Sequence, residues 1–507
     1  MKLSQFSFIN QVDTEPEHTV VLVGAALDGP SHSPFTLNDN TNVYEALGQS
    51  PLADAYHSAR KLGMSNIVAY RLNGIHSEAL VADKLGHLVF KFRYISASEL
   101  YNDIQLIVHP THLYIVGVNG VPRSYFFDKY KKAYELAYAM NRDAHYGLLD
   151  FNVETLDDQY VLLNMVDAVT EVMFKGGESE EEFINSRDPL SASPKDAATV
   201  VSLLKERLKL SLFGEDPLDV LDRQPMSHLG ALHYGVIVLC DMYHDDDPEL
   251  TEMLGSFCLN KTKEIGFGCV GVIGTKPIYS PLVDEGDTVD MDEVIHARVL
   301  ELVSLSESLE DKEAYKYVQV VVGQTVYTES EESSISLAPA YAATQAQLPV
   351  ETMMSNKAIT GVGKLNFHLN KEDVALLTAN GYICTVPSIR RGFVPFYATS
   401  YSKDKESLMA KPHLLRISQY VSRMLVEELD SLVGSNYATL SIKEAVKKAE
   451  EVLDELVAGK VIRSYELRYE LLDRNTALNV EASLTTFSEV RAVNSIAIIS
   501  FPQGVIR

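Results

Sequence analysis

The sequence predicts a multidomain chain that combines α/β and α+β parts. Three observations predict it. The length of 507 residues suits about three domains at roughly 150 residues each. Continuous β-branched runs alternate with helically spaced apolar residues through most of the chain, as in βαβ units around a buried parallel sheet. The last quarter turns to strict period-two strands. Apolar residues at 46% and charged residues at 22% exclude a disordered chain. The 44 basic and 70 acidic side chains leave a formal net charge of −26, which excludes a general nucleic-acid binder needing a basic footprint. Four cysteines, Cys240, Cys258, Cys269 and Cys384, form no CxxC pair and read as buried thiols. Neither a secretory signal nor a run of about 18 apolar residues is visible, so a protein folded in a reducing cytoplasm, without membrane insertion, is expected.

The elements follow in order. Leu3, Phe6, Phe8 and Ile9 alternate imperfectly with polar residues ahead of a polar stretch, 13–18, giving a short strand on a tether. TVVLVGAA (19–26) is a buried parallel strand. Leu52, Ala55, Tyr56, Ala59 and Leu62 make a helix stopped by Gly63, and 66–71 returns as a strand, completing a βαβ unit. LVFKFRYI, IQLIV and LYIVGV follow, the last closed by the turn dipeptide Asn119-Gly120, and read as a β-rich insertion. Helical patterns are read near 157–174 and 196–212. GVIVLC (235–240) resumes the α/β pattern. Asp247 then caps a helix with Pro248 at its first position, and CVGVIG (269–274), a helix through Ile295, Val299 and Leu302, and a strand at 318–322 follow. A long helix runs from Leu414 to Leu432. SIKE (441–444) is a capping box opening another. Tyr465, Leu467, Tyr469 and Leu471, then Leu478, Val480, Ala482 and Leu484, define two half-buried antiparallel strands. The terminal strand at 495–501 is apolar on both faces.

Catalytic signatures are scarce. Gly266, Gly268 and Gly271 match a dinucleotide string, but a helix precedes and a strand follows, the reverse of the required context, so a turn is expected there. Gly361, Gly363 and Lys364 resemble the end of a phosphate loop, yet Ala358 and Leu365 replace its first glycine and its magnesium-binding hydroxyl. His228, His233 and His244 lie near Asp241 and residues 245–247 at spacings that favour a solvated loop and a helix cap over a metal site. No cofactor or metal is expected. Residues 388–424 carry seven basic residues, among them Arg390, Arg391, Arg416 and Arg423, against two acidic ones, which suits an acidic partner or acidic neighbours within the chain.

VVLVGAALDGP (20–30), PLADAYHSARKLGMSNIVAYRLNG (51–74), LAPAYAATQAQLP (337–349), residues 359–401, VIRSYELRYELLDRN (461–475) and LNVEASLTTFSEVRAVNSIAIIS (478–500) occur in an order and spacing that resembles the contractile-tail sheath proteins of bacteriophages. The resemblance covers roughly half the chain and leaves 125–226 unmatched. It implies a core domain built from both chain ends, an inserted α/β domain and a further β-rich variable insertion. The corresponding boundaries are an N-terminal arm at 1–18, an α/β domain at 19–87 plus 227–386, the insertion at 88–226, a core assembly domain at 387–492 and a C-terminal strand at 493–507. It implies a non-enzymatic subunit that polymerises helically around a tail tube protein, meets baseplate and tail terminator proteins, assembles in the host cytoplasm and resides in the virion. Contraction would drive the tube through the host envelope. Arms that add strands to neighbouring copies are the expected joints, with Phe6, Phe8, Ile9 and Val12 at one end and Ile496, Ile498, Ile499 and Phe501 at the other. Arg390, Arg391, Arg416 and Arg423 are the tube-facing candidates. A sheath of a phage-derived bacteriocin or injection system is the alternative within the class. A cytoplasmic α/β nucleotide-binding enzyme using the 266–271 turn is the alternative outside it.

Overall fold

A computed structural model describes residues 6–8, 16–116, 122–145, 149, 151–163, 165–185, 194–214, 229–265, 267–277, 290–323, 325–327, 334–359, 362, 364–388, 390–430, 442–472, 477–487, 499–501 and 504–506. Its centre is an eight-stranded sheet in the order Phe6–Phe8, Pro34–Leu37, Ile67–Arg71, Val20–Gly24, Val236–Tyr243, Val270–Gly274, Val318–Val321 and Tyr382–Ile383. The six strands from Ile67–Arg71 onward run parallel, and the first two pair antiparallel at one edge. The middle strands are buried on both faces, which their unbroken Val/Ile runs require.

The side chains divide cleanly between the two faces. Val21, Val23, Ile237 and Leu239 join a core with Leu204, Leu208, Leu254, Phe257 and Val299, from the helices Pro194–Phe213, Pro248–Asn260 and Met291–Ser308. Val20, Leu22, Val236 and Val238 face Leu52, Ala55, Ala342 and Ala346, from the helices Pro51–Lys61 and Leu337–Gln347. Two local signals work as read: Asp247 caps Pro248–Asn260 by accepting from Glu249 N–H, and Gly63 takes φ +78° past Pro51–Lys61. The cap of Pro51–Lys61 is Ser50, which accepts from Ala53 N–H. Leu337–Gln347 is apolar on all sides because ten of its residues are buried.

The β-rich insertion has its own core, drawing on Ala79 and Val81 at one end of the segment and Phe174 at the other. Two sheets build it: Phe151–Thr155, Leu88–Tyr94 and Glu78–Ala82; and Thr170–Met173, Gln105–Val108, His112–Val116 and Pro122–Phe126. The unit thus occupies about 78–175 rather than 88–226, since Pro194–Phe213 packs its Val200, Leu204 and Leu208 on the central sheet. Asn119 and Gly120 lie outside the described residues, and the strands flanking them pair as a hairpin. No helix fills 157–174. Leu162, Met165 and Val166 do bury at helical spacing, but the backbone there bonds outward: Leu162 N–H to Lys131 O, and Ala133 N–H to Tyr160 O. The helix in this unit is Ala133–His145 instead.

The C-terminal layer consists of the helices Pro412–Asp430 and Ile442–Ala458 and the ribbon Ser464–Leu472 with Ala477–Thr485. The ribbon pairs Tyr465 with Leu484, Leu467 with Ala482, Tyr469 with Val480 and Leu471 with Leu478. The two predicted apolar sets therefore share one face. Ser441 of the capping box lies outside the described residues.

Candidate assembly surfaces

The ribbon stands on the helix pair through a small core of Ile417, Val421, Leu453, Leu456 and Ile462, against which Tyr465, Leu467, Ala482 and Leu484 pack. Further along the ribbon Tyr469 is 56% exposed. Its sheet has only two strands among the described residues, so each strand presents one unpaired edge, the feature that lets another chain add a strand.

Phe6 and Phe8 lie on Phe6–Phe8, which pairs with the chain's own Pro34–Leu37, Phe6 opposite Leu37 and Phe8 opposite Phe35. Ile499 and Phe501 lie on Ile499–Phe501, which folds back on Gly504–Ile506. Ile9, Val12, Ile496 and Ile498 lie outside the described residues. The described pieces of both terminal segments are thus short strands.

The basic candidates separate. Arg390 and Arg391 are exposed at the turn between Thr385–Ser388 and Gly392–Pro395, where Arg391 donates to Asn356 O at 2.7 Å. Arg416 is 3% exposed and donates through Nη2 to Leu348 O at 3.0 Å. Burial pulls its pKa down to about 10. It cannot meet a tube as a surface charge, which corrects that expectation. Arg423 is corrected likewise: its side chain is 13% exposed and engaged by Glu17 and Glu427, each at 2.8 Å. Lys403 caps the carbonyl end of Met291–Ser308 through Glu307 O and Leu309 O. The basic excess of 388–424 is largely consumed within the subunit.

The densest polar site was not anticipated from sequence. Arg71, fully buried at the end of Ile67–Arg71, uses all five N–H donors. Nε bonds Asn73 Oδ1 at 3.2 Å, Nη1 bonds Gly29 O and Ala97 O at 2.8 Å each, and Nη2 bonds Leu27 O at 3.4 Å and Ser179 O at 3.0 Å. Gly29 and Leu27 belong to the central domain; Ala97 lies within the insertion and Ser179 just past its end. Asn73 adds bonds to Ala26 and Ser179, and Arg207 grips Glu180 through both nitrogens at 2.7 and 2.8 Å. Burial lowers the Arg71 pKa to about 10, against the opposing pull of the Asp28 and Glu180 carboxylates. Gly74 turns the chain over this guanidinium at φ +94°, where a Cβ would lie 2.4 Å from Arg71 Nη2. The only sequence signal was an arginine ending an apolar strand.

This junction sits beside the switch point of the sheet. The chain steps one way from Val20–Gly24 to Ile67–Arg71 and the other way from Val236–Tyr243 onward. Open α/β sheets bind ligands at the carboxyl ends of the strands there. In this protein the Arg71 network and the roots of the insertion occupy the carboxyl ends of the two strands on one side of it. The glycine string lies at the other end of the sheet. Gly268 precedes Val270–Gly274 and a Cβ on it would meet Thr262 and Gln419, while Gly266 lies outside the described residues. Gly361 and Gly363 also lie outside them, and Lys364–Leu365 is a strand, so no helix N-terminus follows those glycines.

Among the described residues no group of three His, Cys, Asp or Glu could hold a metal ion, and no helix is long and apolar enough to cross a membrane. His233 stacks on Phe267, and His244 is fully buried between Thr251 Oγ1 at 2.8 Å and Tyr401 OH at 2.9 Å. His228 lies outside the described residues. The four cysteines are buried free thiols.

No protein-family model matches the chain, and no match is found among curated proteins. Solved structures do match. The sheath tail protein from Listeria innocua superposes with a TM-score of 0.52 at 12% identity, over 92% of this chain and 92% of that one. The sheath tail protein from Desulfitobacterium hafniense covers 94% of this chain and 99% of its own, with a TM-score of 0.45 at 11% identity. The helical sheath of the anti-feeding prophage in its contracted state matches over 54% of this chain and 70% of that one, with a TM-score of 0.36 at 13% identity. Over more than nine-tenths of its length, the fold of this chain is that of a sheath tail protein.

Proposed function

We propose that this chain is the structural subunit of a contractile sheath, a helical homopolymer around a tail tube that shortens to drive the tube through a cell envelope. The observation that carries the reading is the match to a sheath tail protein over more than nine-tenths of both chains. Two features of the chain fit it. Among the described residues the C-terminal ribbon offers open edges, and the described pieces of both terminal segments are strands, so a neighbour's strand can be added by backbone hydrogen bonds. A strand given to the next subunit makes a heterologous contact, which propagates into a helix when its rotation does not close. The carboxyl ends of Val20–Gly24 and Ile67–Arg71, beside the point where an α/β enzyme would bind its ligand, hold structural roots instead, which favours a structural over a catalytic role.

In this reading the partners are further copies, the tube, the baseplate and the tail terminator, and the particle is a phage tail or a related injection device. The exposed turn at Arg390 and Arg391 is the remaining candidate for a tube contact. Deleting residues 1–12 tests the arm: a folded chain that no longer polymerises is expected. Normal polymers from that deletion would sink it.

A further inference from the structure

Residues 13–18 read in sequence as a flexible tether, but the second half of that stretch is clamped. Pro16–His18 forms a short helical turn closed by Thr19 N–H to Pro16 O at 3.0 Å. Its backbone lies so close to the strand Val236–Tyr243 that a Cβ on Gly235 would come 2.4 Å from Glu17 O. His18 Nδ1 lies 2.7 Å from Ala346 O, at the end of Leu337–Gln347. Glu17 Oε2 takes a bond from Arg423 Nη2 at 2.8 Å, and both side chains are only 13% exposed.

Arg423 is itself firmly mounted. Its Nη1 contacts both Glu427 oxygens at 2.8 Å and its guanidinium lies over the Tyr420 ring. The helix that carries it, Pro412–Asp430, is tied to the sheet by Gln419 Nε2, which donates to Thr262 Oγ1 at 3.0 Å and Cys269 O at 3.1 Å. Arg416, from the same helix, lines the same small cavity as Glu17 and Arg423. Its Nη1 is buried with no hydrogen-bond partner among the described residues. Withdrawing Glu17 would therefore leave Arg423 with the half-exposed Glu427 as its carboxylate and would remove a carboxylate that acts on the buried Arg416, a costly state.

We propose that the Glu17–Arg423 pair is a force-bearing clasp. It fixes the root of the N-terminal arm to the helix that also carries the C-terminal ribbon, so the arm pivots ahead of Pro16 and a pull on it is delivered to that helix. The inference rests on the arm reading of the proposed function. One rigid element would then receive load from both ends of the chain, which lets subunits rotate as bodies while their joints hold.

The test uses the full chain as Glu17→Gln, Arg423→Gln and the double variant, with Arg423→Lys as a milder change that keeps the charge but loses the fork. Amide hydrogen exchange at residues 17–20 is followed in the monomer, with Val318–Val321 as the internal reference for an intact fold. Each Gln variant should exchange about tenfold faster at 17–20, the double variant no faster than the worse single, and polymers of these variants should be lost or shortened. Unchanged exchange at 17–20 would overturn the clasp. Faster exchange with normal polymers would overturn its load-bearing role. Normal polymers after deletion of 1–12 would overturn the arm itself, whatever these variants do.

Discussion

The central sheet and the C-terminal ribbon solve opposite problems. The sheet's middle strands are paired on both sides and covered on both faces, so their backbone bonds run mostly within the subunit. The ribbon has two strands, with Tyr465, Leu467, Ala482 and Leu484 standing on a helix pair and Tyr469 exposed. The middle strands of the sheet, paired on both sides, offer no edge to another chain. A region with free edges can be joined. The difference teaches which part of the chain is closed on itself and which part is open to a further strand.

Arg71→Met gives the largest expected effect on the closed half. It would strand the buried carbonyls of Gly29, Ala97 and Ser179 and leave Asp28 and Glu180 without their shared cation. A loss of about 3–5 kcal/mol in urea unfolding is expected, with the insertion loosened first. An unchanged midpoint would show that the junction is not the keystone argued here.

Acid comes next. Burial holds His244 neutral, with its pKa down at about 3. The unfolded chain takes up its proton near pH 6.5 and the folded chain does not. Stability is therefore full above about 6.5 and falls steadily as pH drops toward 3, by several kcal/mol at the end of that window. His244→Gln, which keeps polar contacts without titrating, should flatten the pH dependence of the unfolding midpoint between pH 6 and 4. If both proteins lose stability in parallel, this histidine is not the cause.

Leu453→Ala opens a cavity beneath the ribbon, where Leu453 is fully buried. A cost of about 2–5 kcal/mol is expected, read as faster exchange in 442–485 with the central sheet still protected. Equal loosening of the sheet would contradict the division between the two regions. The smallest effect on the monomer is Tyr469→Ala at this exposed ribbon position, within about 0.5 kcal/mol.

Much of this architecture was legible. Strict alternation in the two ribbon strands fixed their register because a slip of one residue would turn every apolar side chain to the other face. The buried strands announced themselves by Val and Ile runs, and Asp247-Pro248 marked its helix. What was hidden depends on long-range geometry. Residues 157–174 carry a helical spacing of apolar residues that bury without a helix, since their backbone partners lie near 131–133. The basic stretch at 388–424 looked like a surface because charge is usually solvated, yet Arg416 and Arg423 point into a cleft shaped by residues some 400 and 70 positions earlier. Arg71 gave no warning because four of its five bonds go to backbone carbonyls, which leave no mark on side-chain patterning.

The central claim is that this chain builds a sleeve through its open edges. The most direct measurement is electron microscopy of the purified full chain across concentration and salt, beside a variant lacking residues 1–12. Hollow helical tubes from the full chain and monomers from the truncated one are the expected result. Monomers from both at every condition, or tubes from both, would contradict the account.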